Sequence, residues 1–404
     1  MRLHGPLEPV FVPRGFRFSA AKGGIKASGK PDLALAEAPR EAAAAAVFTR
    51  NRVVAAPVVV GRGNLRRSGG RLRAVLVNSG NANCGCGVLG VRAAERCCAA
   101  VARVLGTGAA RVLPSSTGII GVPLPEGKVT AAVPGLAAAL ASGETALRAF
   151  GRAIMTTDLR PKLASASFGV GGRTVSLAGV AKGAGMIHPD MATMLVYLFC
   201  DVAAPAAVLR RRLKDAVSVT FNAMSVDGDT STNDTVLLMA SGASGVRLGS
   251  AGADAGFAAA LRAVCASLAS QIIRDGEGAR HLVRLSVEGA RSVDEARVVA
   301  RSIANSPLVK TAWAGCDPNW GRILARVGSS GVPVDPARVS IDIGPHRVFE
   351  NGRAKAFDRR AAHEVLKRPE YRVRVRLGRG RAALEYLTCD LTEEYIRINA
   401  EYST

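Results

Sequence analysis

An unbroken apolar run, Met194-Leu195-Val196-Tyr197-Leu198-Phe199-Cys200, is closed by Asp201. Such a run is either a strand buried on both faces or a piece of buried helix. Flanking Gly183, Gly185 and Pro189, with the β-branched and aromatic content, favour the strand. A different pattern lies near the C-terminus, where Val373, Val375 and Leu377 alternate with Arg372, Arg374 and Arg376. That alternation predicts a strand with one dry and one solvated face, closed into a hairpin at Gly378-Arg379-Gly380. Shorter strands are expected at 73–77, 174–177, 235–239, 282–287 and 339–343, and Ala-rich helices at 131–154, 205–217 and 253–273. With no repeats and no low-complexity linker, the alternation predicts an α/β or mixed α+β fold whose sheets are covered by helices.

A chain of 404 residues with 48% hydrophobic content can bury a large core, expected as two lobes. No run reaches the ~18–20 uncharged apolar residues of a membrane helix, and MRLHGPLEP lacks the apolar core of a signal peptide, so a cytoplasmic protein is expected. Among eight cysteines, Cys97 and Cys98 are adjacent and Cys84 and Cys86 are separated by one residue. Neither spacing is that of a CxxC pair, so buried thiols are expected and no metal is assigned.

The formal charge of +22 raises the question of a nucleic-acid partner. Few aromatics interleave with the arginines, and an arginine-rich solvated surface is the simpler account. The match GCGVLG, Gly85 to Gly90, imitates a dinucleotide fingerprint. It follows the apolar run Ala74-Val75-Leu76-Val77 too distantly, and no acidic residue stands where a ribose would need one. Asp227, Asp229, Asn233 and Asp234 crowd together like a cation loop, without the glycine and glutamate that an EF-hand requires. These side chains are expected to brace backbone.

Chemistry concentrates in KGAGMIHPDMATML, Lys182 to Leu195, which sets Thr193 at the head of the buried strand. If the preceding peptide bond is distorted, the Thr193 hydroxyl can attack the Ala192 carbonyl and water can release the ester. The product would be an N-terminal threonine whose α-amine, with a reference pKa of ~7.7–8.0, serves as base for its own hydroxyl. Branching at Cβ restricts χ1 and keeps that hydroxyl aimed. The residues alone leave a second reading open, a glycine-rich turn into a core strand with Thr193 capping it. LPSSTGIIG similarly reads either as an ordinary turn or as donors for an oxyanion, from the Thr117 hydroxyl and the Gly118 N–H.

Further motifs decide between these readings: GIKASGKPDLALAEA from Gly24, FTRN from Phe48, VNSGNAN from Val77, MTTD from Met155, VDGDTSTNDT from Val226, GEGA from Gly276, KTAWAGCDPNWGRI from Lys310 and EEYIRINAEYST at the C-terminus. Together with the Lys182 and Ser115 segments, they resemble the ornithine acetyltransferase / glutamate N-acetyltransferase family of arginine biosynthesis from end to end. The resemblance implies a two-lobed layered fold of N-terminal-nucleophile type, self-cleaved between Ala192 and Thr193 into fragments 1–192 and 193–404 that assemble as two copies of each. It implies Thr193 as nucleophile and Thr117 and Gly118 as oxyanion hole. Substrate contacts fall on Thr156, Lys182, Thr193, Glu277, Asn399 and Thr404, with Thr157 competing with Thr156.

Lys182 suits a substrate carboxylate and Glu277 an ornithine ammonium. The implied reaction moves acetyl from N2-acetylornithine to glutamate with no cofactor, and whether acetyl-CoA also serves as donor stays open. Departures from the family pattern are NANCGCG, Arg280-His281 after GEGA, and His188 before the cut. The rival readings are an N-terminal-nucleophile amidohydrolase or aminopeptidase that passes the acyl group to water, and a basic binding protein that never cleaves.

Overall fold

The computed structural model describes residues 1–4, 10–188 and 194–401. Ala192, Thr193 and Thr404 therefore lie outside the described residues. The strands, in chain order, are β1 (Arg2–His4), β2 (Arg17–Ala21), β3 (Leu33–Phe48), β4 (Arg71–Asn81), β5 (Val112–Ile119), β6 (Lys162–Val170), β7 (Arg173–Lys182), β8 (Leu195–Cys200), β9 (Met224–Ser225), β10 (Thr235–Ala240), β11 (Leu282–Ala290), β12 (Ser340–Ile343), β13 (His346–Glu350), β14 (Arg353–Ala354), β15 (Glu370–Arg376) and β16 (Ala382–Cys389). The helices are α1 (Ala56–Arg67), α2 (Gly87–Leu105), α3 (Glu126–Ala138), α4 (Glu144–Ala153), α5 (Ala206–Ser218), α6 (Ala251–Arg274), α7 (Val293–Ala304), α8 (Pro307–Ala314), α9 (Trp320–Gly328), α10 (Arg359–Leu366) and α11 (Glu393–Glu401).

Two mixed sheets result, each with its own core. The first runs β1-β6-β7-β8-β10-β3-β4-β5, with β2 also paired to β3, and the second runs β14-β13-β12-β15-β11-β16-β9. The apolar run at 195–200 is a central strand, buried at every position because helices cover both faces of the first sheet. On one face α5 and α6 supply Leu209, Leu213, Phe257, Leu261, Val264 and Leu268. On the other, Phe18, Phe150, Tyr197 and Phe199 interlock edge to face, with Phe150 and Tyr197 ring centroids 5.4 Å apart. By length and composition α6 could cross a membrane, yet half of its most apolar window is buried within the protein.

Two expectations are corrected. The helix expected over 131–154 is two helices, because Ala141 leaves the helical path to bridge Phe18 and Gly143, at φ 97°, starts α4 afresh. The Ala-rich stretch inside Leu33–Phe48, for which no element was expected, lies in the longest described strand, held at both edges by β10, β2 and β4. Sheet pairing there overrides alanine's helical preference. Finally, β15 and β16 do not form a hairpin, since β11 lies between them, parallel to one and antiparallel to the other. The turn glycines instead dock on β11, where the Arg379 and Gly380 amides donate to the Gly289 carbonyl.

The alternating arginines of β15 are nevertheless explained by that sheet. Arg372 pairs with Glu385, Arg374 with Glu288, and Arg376 with Glu288 and Asp342, while Val373, Val375 and Leu377 are fully buried on the other face. All eight cysteines are free, and burial pushes the Cys97 thiol up to about 12. Among the described residues no three His, Cys, Asp or Glu side chains converge as metal ligands.

Candidate active site

The site is built where β7 ends and β8 begins. These strands are antiparallel neighbours in which Lys182 pairs with Leu195, and β8 runs parallel to β10 with Leu195 opposite Thr235. Met194, immediately before β8, donates its N–H to Asp234 Oδ1 at 3.0 Å, and its carbonyl accepts from the Thr235 N–H at 3.2 Å. Thr193 is joined to this anchored residue by one peptide bond. Lys182 is thus the last residue of a strand and buried, not a flexible cation on the glycine-rich approach. Its pairing partner at the head of β8 fixes it beside the start of the strand that Thr193 precedes.

Lys182 Nζ donates to the Thr156 hydroxyl at 2.8 Å and to the Thr117 hydroxyl at 3.2 Å. Burial lowers its pKa, and the Asp158 carboxylate opposes that shift. Thr117 and Gly118 belong to β5 itself, where its pairing with β4 becomes irregular at Gly80 and Asn81. Such irregularities re-aim groups beside active sites. Gly118 holds φ 132°, and a Cβ there would lie 2.3 Å from the Gly80 carbonyl carbon, so no other residue fits.

Beneath the cleft lies a buried ionic cluster that the sequence reading missed. Lys162 Nζ lies 2.6 Å from Asp158 Oδ1 and 2.6 Å from Asp275 Oδ2. Asp158 also accepts the Thr156 and Gly183 amides, so one carboxylate ties the Thr156 loop to the end of β7. Burial alone would raise the Asp158 pKa; Lys162 and Lys182 instead hold it below the usual carboxylate range. Part of the signal was present in MTTD, which ends on Asp158, and immediately before GEGA, where Asp275 stands.

Opposite Lys182 stands Glu277, buried just beyond α6. Its Oε2 accepts from Asn399 Nδ2 of α11 at 2.9 Å. Gly185 passes so close that a Cβ would sit 2.3 Å from that same oxygen. Thr117, Gly118, Thr156, Lys182, Glu277 and Asn399 therefore line one cleft with a cavity volume of about 70 Å³. Thr157 lines it too, and it is the Thr156 hydroxyl that Lys182 engages. Ser231, Thr232 and Asn233 complete the wall; of these, sequence reasoning had pointed only to Asn233, as a backbone brace near the active site.

The acidic loop braces backbone. Asn233 Nδ2 donates to the Ala82 and Ser116 carbonyls at 2.7 and 2.9 Å, fixing the loop against β5. Asp227 accepts the Met186, Ile187 and Asp229 amides. It thereby holds Met186 at φ 55°, a left-handed conformation that costs a non-glycine residue about 1–3 kcal/mol. Burial pushes the Asp227 carboxyl up to about 6, against those amides. Asp234 is raised well above the carboxylate range by complete burial, and its Oδ2 has no hydrogen-bond partner among the described residues. His188 is clamped by Arg301 at 2.7 Å and Asn305 at 3.2 Å, securing the approach to the undescribed segment.

A cleft holding paired hydroxyls, a buried lysine and a carboxylate can bind a zwitterionic amino acid and stabilise an oxyanion. Known proteins resemble this chain along most of its length. The model of the ArgJ family matches residues 17–404. An arginine biosynthesis bifunctional protein ArgJ from Methylococcus capsulatus is 49% identical over 395 residues, 96% of this chain and 95% of its own. Its counterpart from Thermus thermophilus is 47% identical over 98% of this chain and 100% of its own. The crystal structure of an arginine biosynthesis bifunctional protein argJ from Bacillus halodurans matches 50% of this chain and 96% of that chain at 41% identity, with a TM-score of 0.49. A match across nearly the whole chain, with relatives approaching half identity along their full lengths, means that this chain belongs to the ArgJ family.

Proposed function

We propose that this protein is a glutamate N-acetyltransferase of arginine biosynthesis, moving acetyl from N2-acetylornithine to glutamate through O-acetyl-Thr193. Self-cleavage between Ala192 and Thr193 would first free the α-amine that activates the hydroxyl. The observation that carries the reading is the meeting, in one cleft, of two candidate oxyanion donors, Thr117 and Gly118, with a cation and an anion suited to an amino acid, Lys182 and Glu277. Lys182 would take the α-carboxylate shared by both substrates, and Glu277, steadied by Asn399, the ornithine ammonium. Thr156 would orient Lys182, and Thr404 would add a contact from the C-terminus. Acetyl-CoA would be a second donor, in keeping with the bifunctional description of the relatives.

Fragments 1–192 and 193–404 would stay together after the cut, because β8 and β10 of the second are inserted between β7 and β3 of the first. Two copies of each would form the working enzyme, in the cytoplasm. The test is a denaturing gel with N-terminal sequencing, followed by an assay with acetylornithine and glutamate. Two fragments, one beginning at Thr193, and formation of acetylglutamate are expected. Free acetate in place of acetylglutamate would favour a hydrolase, and a single intact chain would overturn the mechanism.

A further inference from the structure

A second groove opens on the far side of Thr156, which lines both spaces. Its cavity volume is about 980 Å³, against about 70 Å³ in the cleft. Pockets that take drug-sized ligands span roughly 300–1,000 Å³, a range that the groove reaches and the cleft does not. The groove is therefore large enough for a ligand bulkier than a free amino acid.

Its lining has a definite chemistry. Ile25, Ile119, Ala149 and Met155 make it largely apolar, and Lys26, Lys30 and Arg152 bring three cations to it. Among the described residues none of the three forms an ion pair. The nearby carboxylates are committed elsewhere: Asp32 accepts the Gly23, Ile25 and Lys26 amides, and Asp158 serves Lys162, Thr156 and Gly183. Lys26 is half-buried and donates to the Pro31 and Ala153 carbonyls at 3.0 and 3.5 Å; burial lowers its pKa to about 8, and the Asp32 charge opposes that shift. Unpaired cations flanking an apolar channel suit a ligand with a phosphorylated head and an uncharged arm.

We propose that this groove binds the phosphorylated carrier of an acetyl thioester, with its phosphates on Lys26, Lys30 and Arg152 and its acyl arm passing Thr156 into the cleft. This rests on the acetyl-transfer reading and assigns that reaction's second donor a site of its own. In the step it serves, the acetyl C–S bond breaks as a C–O bond forms to the Thr193 hydroxyl oxygen. The hydroxyl proton passes through the α-amine to the departing sulfur, which leaves as a thiol.

The test compares donors in the full-length, self-processed enzyme carrying Lys30→Glu and Arg152→Glu, both at exposed positions. KM for acetyl-CoA should rise at least tenfold, while exchange between acetylornithine and glutamate stays within about twofold. Acetyl-pantetheine, which keeps the arm and lacks the phosphates, should react with the variant and the parent alike. An unchanged KM for acetyl-CoA, or an equal loss with both donors, overturns the proposal. A parent enzyme active with acetylornithine and inert with acetyl-CoA overturns it while leaving the exchange reaction standing, whereas one inert with acetylornithine removes the underlying reading instead.

Discussion

Replacing Glu277 by Gln removes one charge from the cleft and little else. The glutamine keeps an oxygen for Asn399 Nδ2, now 2.9 Å away, and adds no bulk against Gly185. What disappears is the partner proposed for the ornithine ammonium. A hydrogen bond to a charged group contributes about 1.5–3 kcal/mol. At about 1.4 kcal/mol per decade, kcat/KM for acetylornithine should fall about 10- to 150-fold. Glutamate has no distal cation, and its kcat/KM should change less than about threefold. In a double displacement each kcat/KM reports only its own half-reaction, so initial rates over a grid of both substrates separate the two effects. Equal losses for both substrates, or an unchanged value for acetylornithine, would remove Glu277 from ammonium recognition.

Two further predictions concern the supports of the site. Lys162→Met strips the counter-ion from buried Asp158 and Asp275, and breaking a buried pair from one side costs about 3–5 kcal/mol; a loss under about 1 kcal/mol in urea unfolding would contradict this. Asp227, raised from 3.8 to about 6, binds its proton more tightly folded than unfolded, so its contribution is present below about pH 4 and lost as pH rises through about 6. At about 1.4 kcal/mol per unit the loss is on the order of 3 kcal/mol. Parent stability should therefore fall relative to Asp227→Asn between pH 4 and 7, and parallel pH profiles for the two proteins would refute the assignment.

Local pattern determined a good deal of this protein by itself. The run at 195–200 was favoured as a strand over a buried helix by the glycines and proline that precede it and by its β-branched and aromatic content, and it is a strand buried at every position. The family resemblance that the motifs carry marked Thr117, Gly118, Thr156, Lys182, Glu277 and Asn399 as a group, although they are scattered from β5 to α11. Tertiary structure decided what those residues are to one another. Lys182 and Glu277 read as surface charges until strand pairing buries the first beside the head of β8 and the end of α6 buries the second opposite it. The Asp158–Lys162–Asp275 cluster, which joins one loop, one strand and one helix end, leaves no periodic trace in the chain. Nor could local pattern show that β11 separates β15 from β16, or that the alanines of β3 extend instead of coiling. Propensity and alternation are properties of neighbours along the chain. Pairing, burial and charge compensation depend on residues that only folding brings together.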